Sequence, residues 1–218
     1  MKSLDRHRRH KGTGLLHVVK AIKANPKARA AVPSSLLKYL EEPILISDWY
    51  SEVDYEVLLE ILAESIPRAA IGVDVWTFFG QHSAQRDLAG LYPGATGTEA
   101  GIYRRFMEGG KGDPASLFRR AATLWSVYHD TGRMSVWLSP RSDACVLVRL
   151  HDFRFPVRGM IQLQAAYFVE FGRLAGLQIR SRITRTTMDG DPYCEWEYTV
   201  EHTPENVASL ATLPVAPP

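Results

Sequence analysis

At Gly132 the hydrophobic pattern of this chain changes period, and no other feature constrains the fold as strongly. Downstream of it, Met134, Val136 and Leu138 alternate with Arg133, Ser135 and Trp137. A repeat of two sends alternate side chains to opposite faces of a strand. The turn-forming run Pro140 to Asp143 and a second apolar segment, Ala144 to Leu150, complete a predicted hairpin. The period then lengthens, and Met160, Leu163, Tyr167, Phe171 and Leu174 fall along one stripe of a helix. It shortens again at Ile179, Ser181 and Ile183, which alternate with Gln178, Arg180, Arg182 and Thr184. After a turn signalled by Asp189-Gly190, Cys194, Trp196, Tyr198 and Val200 alternate with Glu195, Glu197 and Thr199. The arginines of the third strand and the glutamates of the fourth are predicted to face each other on the solvated side. The order is β-β-α-β-β, a four-stranded antiparallel sheet with a helix across its apolar face.

Upstream of Gly132 the signals are helical. Leu15 to Lys23 reads as a helix stopped by Asn25-Pro26, and SLLKYL after Pro33 as a short one. Ser51 or Asp54 can cap a helix carrying Tyr55, Leu58, Leu59, Leu62 and Ile66. Val73 to Leu88 is a further helix, and a Gly-rich break precedes a shorter one through Tyr103, Phe106 and Met107. Asp113-Pro114 then starts a helix running toward Asp130. The fold class is therefore α+β, a helical N-terminal half packed with the sheet. Four segments are expected: a disordered basic arm (1–13), a helical region (14–130), the sheet with its helix (131–203) and a loose C-terminal tail (204–218).

Composition narrows the function classes. A chain of 218 residues with 45% apolar and 23% charged residues can bury its own core without a metal or disulfide staple. Two cysteines make no disulfide framework, and no apolar run is long enough to cross a membrane. With no signal-peptide pattern either, a cytoplasmic location is expected. Lys+Arg 26 against Asp+Glu 24 leaves +2, much of it in Lys2, Arg6, Arg8, Arg9 and Lys11. That arm reads as a solvated terminus, and no specific nucleic-acid partner is expected because the body lacks a basic face. GGKG at Gly109 to Gly112 lacks the frame and preceding strand of a phosphate loop.

Catalytic and metal signals are weak. Cys194 and Cys145 read as small buried hydrophobes. No two of His7, His10, His17, His82, His129, His151 and His202 stand at zinc-binding spacing, so no metal site is expected. A haem would need an axial histidine in a large apolar pocket. His82 and His129 are the residues to weigh, and neither lies in a haem-binding motif, so no cofactor is expected. Asp48, Asp54 and Glu56 surround a helix start, where capping explains them. The aromatic residues are more informative. Phe79, Trp125, Tyr128, Met160, Tyr167 and Phe171 are candidates to line an apolar ligand cavity, and they would equally serve as core.

The segment from Ala165 to Val200, with its Gly190-Asp191-Pro192-Tyr193-Cys194 turn into the last strand, resembles the 4-vinyl reductase domain. The whole chain resembles an uncharacterised family abundant in myxobacteria. The superfamily's fold is similar to the haem nitric-oxide-binding domain and to subunits of vesicle-trafficking complexes, which implies a pocket between sheet and helices or a scaffold. Zinc-bearing members place further ligands where this chain has Thr186, Ile183 and Val157 or Arg158, so the resemblance implies no zinc here. Together these readings point to a non-catalytic module that senses or binds a hydrophobic small molecule and signals through a protein partner or homodimer. The alternative is an interaction or scaffold protein without a ligand.

Overall fold

Strand pairing is what orders this chain, at its beginning as well as at its end. The computed structural model describes residues 8–88, 112–155 and 157–217. These divide into two units, one running through Val75 and resuming over Ser126–Gly132, the other comprising Trp76–Trp125 and Arg133 onward. The predicted helix through Tyr103, Phe106 and Met107 lies outside the described residues, as does the arm before Arg8.

In the N-terminal unit β1 (Arg9–Lys11) leads directly into α1 (Gly12–Ala24), followed by α2 (Pro26–Ala30) and α3 (Lys38–Glu41). Next, β2 (Trp49–Ser51) pairs antiparallel with β1 and runs into α4 (Glu52–Ser65). The core is the apolar stripe of α1, Leu15, Val18, Val19 and Ile22, against Leu58, Leu59 and Leu62 of α4. Asn25 and Ser51 cap the helices that follow them by accepting from the backbone N–H of Ala28 and Asp54.

The expectation of a disordered arm fails from Arg8 onward. Arg8 and His10 are buried, and β1 meets β2 in the register His10 with Tyr50. Three residues of strand give no periodicity to read, and the charges that suggested solvation are neutralised by tertiary partners. The Arg9 guanidinium donates to Asp130 (2.6 Å) and the Lys11 ammonium to the Ser47 carbonyl (2.7 Å).

The C-terminal unit holds α5 from Trp76 onward (the helix is Val75–Leu88) and α6 (Pro114–Tyr128) up to Trp125. The sheet strands are β3 (Arg133–Leu138), β4 (Cys145–His151), β5 (Ile179–Arg185) and β6 (Tyr193–Val200), in the order β3-β4-β6-β5 and antiparallel throughout. Between the hairpins runs α7 (Arg158–Leu174). The four-stranded sheet and its helix are as the alternation predicts. Val146, Val148 and Leu150 of β4 pair with Tyr198, Trp196 and Cys194 of β6 on the buried face. Phe118 of α6 and Phe168 of α7 pack on Tyr198, with ring centres 5.3 and 5.4 Å away. On the outer face Arg182 pairs with Glu197 (2.8 Å), as the sequence implied, and Arg149 with Glu195 (2.7 Å).

The tail is not loose. α8 (Pro204–Leu210) is capped by Thr203. Beyond it, the Leu138 N–H donates to the Pro214 carbonyl and the Ala216 N–H to the Leu138 carbonyl, covering the free edge of β3. Leu213 and Ala216 are buried, so a proline-rich end that carries no periodicity is held by edge pairing.

Candidate functional site

Two groups of side chains in the described residues carry chemistry, one in each unit. The first begins at the α4 N-terminus. Glu52 is the first helical residue after the Ser51 cap, and its backbone N–H donates to the Arg8 carbonyl (3.0 Å), which ties α4 to the start of β1. Its side chain is wholly buried. His10 on β1 and His129, the residue that follows the helix ending at Tyr128, bridge each other as an isolated β-pair. Their rings stack with centres 4.8 Å apart. His129 Nδ1 lies 3.0 Å from Glu52 Oε2, and one ligand atom from each of His10, Glu52 and His129 falls within 4.8 Å of the others.

The electrostatics follow from burial. Desolvation pushes the His10 imidazole down to about 4, with His129 adding to the shift and Glu52 and Asp130 opposing it. Burial alone would raise the Glu52 carboxyl. The neighbouring His129 and His10, the hydrogen bond with His129, and Arg8 outweigh it and hold that carboxyl down to about 2. Arg8 also faces the buried Glu56 at 3.6 Å. Tyr55 meets the His10 ring edge-on at 4.4 Å, and Tyr128 does so at 6.4 Å. Gly14 makes room for that ring, since a Cβ there would lie 2.6 Å from His10 Nε2. No spacing in the sequence announces this cluster. Its members sit on three separate elements, and spacing motifs see only ligands that share one.

The second group is the aromatic set. Phe79, Trp125, Met160 and Phe171 are buried in the C-terminal unit, and Tyr167 is half-buried there. Trp125 meets Phe153 edge-on at 5.0 Å, and Tyr167 stacks on Phe171 at 5.7 Å. Phe79 packs beside Trp76 and Phe78. Tyr128, the sixth predicted residue, belongs to the N-terminal unit and its histidine cluster. On the outer face of the sheet a groove of about 480 Å³ is lined by Leu147, Arg149, Arg182, Arg185, Glu195 and Glu197, among others. Its Arg149 and Arg182 are already engaged by those glutamates.

The cysteines sit on opposite faces of the sheet, because Cys145 is in register with Thr199 and Cys194 with Leu150. Burial, reinforced by Glu197, pushes the Cys145 thiol up to about 11, the reverse of what a nucleophile requires. The nearest approach to a nucleophile–base pair in the described sheet is Ser135 Oγ to His151 Nε2, at 3.4 Å. The same Ser135 oxygen accepts the Trp137 indole N–H (3.1 Å), and no carboxylate is hydrogen-bonded to His151 to orient it.

No family model matches this chain, and no curated protein matches it. Solved structures do. The H-NOX protein from S. oneidensis in the Fe(II)NO ligation state superposes with a TM-score of 0.55 at 13% identity, covering 88% of this chain and 99% of that one. The Fe(II) unliganded H-NOX protein from K. algicida gives 0.53 at 11% identity, covering 89% and 98%. The fold is that of the H-NOX proteins.

This corrects the resemblance to a 4-vinyl reductase domain and to a myxobacterial family, since the structures found are uniformly H-NOX domains. The motif that carried the resemblance has a local explanation. Gly190 closes a 3₁₀ turn (Thr187–Asp189) in the left-handed region at φ 94°, where glycine is favoured. Asp191 accepts from the Thr186 N–H (2.9 Å), and Cys194 is simply an inward residue of β6. Turn chemistry and strand alternation account for the Gly-Asp-x-x-Cys pattern locally.

Proposed function

We propose that this chain is a non-catalytic sensing or binding module. In this reading it holds a hydrophobic or aromatic small molecule against Phe79, Trp125, Met160, Tyr167 and Phe171 and passes the bound state to a protein partner. The observation that carries it is the near-complete coverage, 99%, of a domain described in an Fe(II)NO ligation state. The absence, among the described residues, of a nucleophile joined to a base and an orienting group supports the non-catalytic part. No helix among them is long and apolar enough to cross a membrane.

A haem held by an axial histidine does not fit the residues present. Such a ligand needs an imidazole nitrogen directed into an apolar cavity. His82 is exposed and stacked on Phe78, His202 pairs with Asp143 at the surface, and His151 contacts Ser135. His10 and His129 gather on Glu52, and His17 lies on α1 of the N-terminal unit, apart from the aromatic set of the C-terminal unit. Residues 89–111 and α6 up to Trp125 contain no histidine. The ligand is accordingly read as an organic molecule held by area burial, with stacking as the specific contact.

A scaffold role is favoured by one observation, the mutual packing of Trp125 on Phe153 and Tyr167 on Phe171, because side chains that satisfy one another need no ligand. Native mass spectrometry of the intact protein, followed by calorimetry against a panel of aromatic and aliphatic compounds, separates the two. Sensing is supported by a bound compound whose affinity falls about tenfold in Tyr167→Ala, the scale of one lost aromatic contact. If no compound binds and the same variant changes self-association instead, the scaffold reading replaces it.

A further inference from the structure

We propose that His10, Glu52 and His129 form a binding site for a divalent transition-metal ion of the zinc or iron(II) class. The proposal is independent of the ligand reading for the C-terminal unit. Two imidazoles and one carboxylate are a donor set that borderline divalent ions accept, whereas magnesium and calcium prefer oxygen donors throughout.

Several observations point to a ligand rather than to a self-sufficient hydrogen-bonded core. His10 Nδ1 and Glu52 Oε1 are buried polar atoms without a hydrogen-bond partner. A buried polar atom left without a partner costs stability, and both of these belong to the cluster, so a ligand held there would satisfy them. Glu52 is moreover a buried carboxylate beside two imidazoles, and a cation bound there would offset its charge.

The distances are compatible. Ligands about 2.1 Å from a tetrahedral ion lie roughly 3.4 Å apart. The 3.0 Å between His129 and Glu52 is close to that spacing, and one ligand atom from each of the three residues lies within 4.8 Å of the others. Tyr55 packs edge-on against the His10 ring, and Gly14 leaves room for it. A metal at this point would staple β1 to the start of α4 and to the segment carrying His129. Three protein donors leave at least one position for water.

The test uses the full chain without a histidine tag, stripped with EDTA and desalted, then titrated with zinc chloride in a calorimeter and with cobalt(II) in a spectrophotometer. One equivalent of zinc per chain is expected, with visible cobalt bands of four- or five-coordinate type. His10→Gln, Glu52→Gln and His129→Gln should each weaken zinc binding by about 100-fold, comparable to or beyond the loss of an outer-shell partner. His7→Gln and His17→Gln should leave it unchanged. If a ligand variant does not fold, X-ray absorption on the zinc-loaded wild-type chain decides, because the site requires two imidazoles, oxygen donors and no sulfur. Absence of stoichiometric binding, affinity in the three ligand variants equal to that of the wild-type chain, or sulfur in the shell overturns the proposal.

Discussion

Replacing Trp196 with alanine tests the register on which the whole C-terminal unit depends. The indole is fully buried at the centre of β6, and its N–H donates to the Ile161 carbonyl of α7 (3.0 Å), joining the sheet to the helix that crosses it. Phe155 meets it edge-on at 6.3 Å, and Val148 and Ile183 are its register partners on β4 and β5. Truncation of a buried tryptophan costs about 3–5 kcal/mol, a transfer contribution plus that of the cavity left behind. Set against a domain stability of about 5–15 kcal/mol, this is enough to move the unfolding midpoint far or to unfold the chain. Trp196→Phe separates the contributions, since it keeps most of the apolar volume and removes the hydrogen bond, worth about 1 kcal/mol.

The control is one residue along the strand. Glu197 faces the other way and pairs with Arg182, whose side chain is 64% exposed, so Glu197→Ala should cost less than about 1 kcal/mol. Urea unfolding followed by far-ultraviolet circular dichroism at 25 °C measures both, since the fluorescence of the variants is not comparable. A cost for Trp196→Ala no greater than that for Glu197→Ala would refute the register, because a slip of one residue exchanges the two faces.

Three further outcomes are expected. Deleting residues 8–11 removes β1, the buried Arg8 and His10 and the Arg9–Asp130 pair, and should lower stability by about 2 kcal/mol or more; an unchanged urea midpoint would mean that the strand does not hold the unit. Hydrogen bonds from Arg173 hold the Glu170 carboxyl below its ordinary range against the opposing effect of burial, with Gln85 also donating. A lowered folded pKa gives stability that is present above the unfolded value and lost as pH falls through the folded one, so Glu170→Gln should flatten the loss of stability as pH falls below the ordinary glutamate range; identical acid profiles would contradict this. Cys145 and Cys194 are buried and on opposite faces of the sheet, so a thiol reagent at mildly alkaline pH should label neither in the native protein and both in urea, whereas rapid native labelling of either would show that its strand opens.

How much of this was legible in the sequence depends on where each element gets its stability. The sheet announced itself because β6 turns Cys194, Trp196, Tyr198 and Val200 to its buried face and so alternates, while the central β4 opens as a continuous apolar run. The helix starts at Ser51 and Asp113 were legible because capping is local: Ser51 accepts from the Asp54 N–H and Asp113 from the Ser116 N–H. β1 and the tail beyond Leu213 were not. Each is a few residues long and is held by partners distant in sequence, Tyr50 for His10 and Leu138 for Val215. Composition read both as loose ends, because charge in the first and proline in the second are the usual marks of an unpaired terminus.

The same reasoning explains why the candidate metal site escaped a reading that named His10 and His129 but passed over Glu52. Glu52 is a helix-start carboxylate, and the α4 dipole favours a negative charge at that end. Its burial is what changes its chemistry, and burial comes from β1, which composition assigned to solvent. His10 looked like a member of a basic arm, yet the backbone pairing of β1 places it against His129 and beneath Tyr55. Once the arm is a strand, Glu52 is no longer a surface capping residue, and a buried carboxylate beside two imidazoles requires a cation or a proton. A single error about the first dozen residues therefore hid a whole constellation. The aromatic set shows the converse. Phe79, Trp125, Tyr128, Met160, Tyr167 and Phe171 were singled out as side chains for a cavity or a core, but an apolar pattern reports that a side chain is turned inward and cannot say whether it meets a ligand or another side chain there. That choice rests on volume left over after packing, a property of the assembled unit that no single segment encodes.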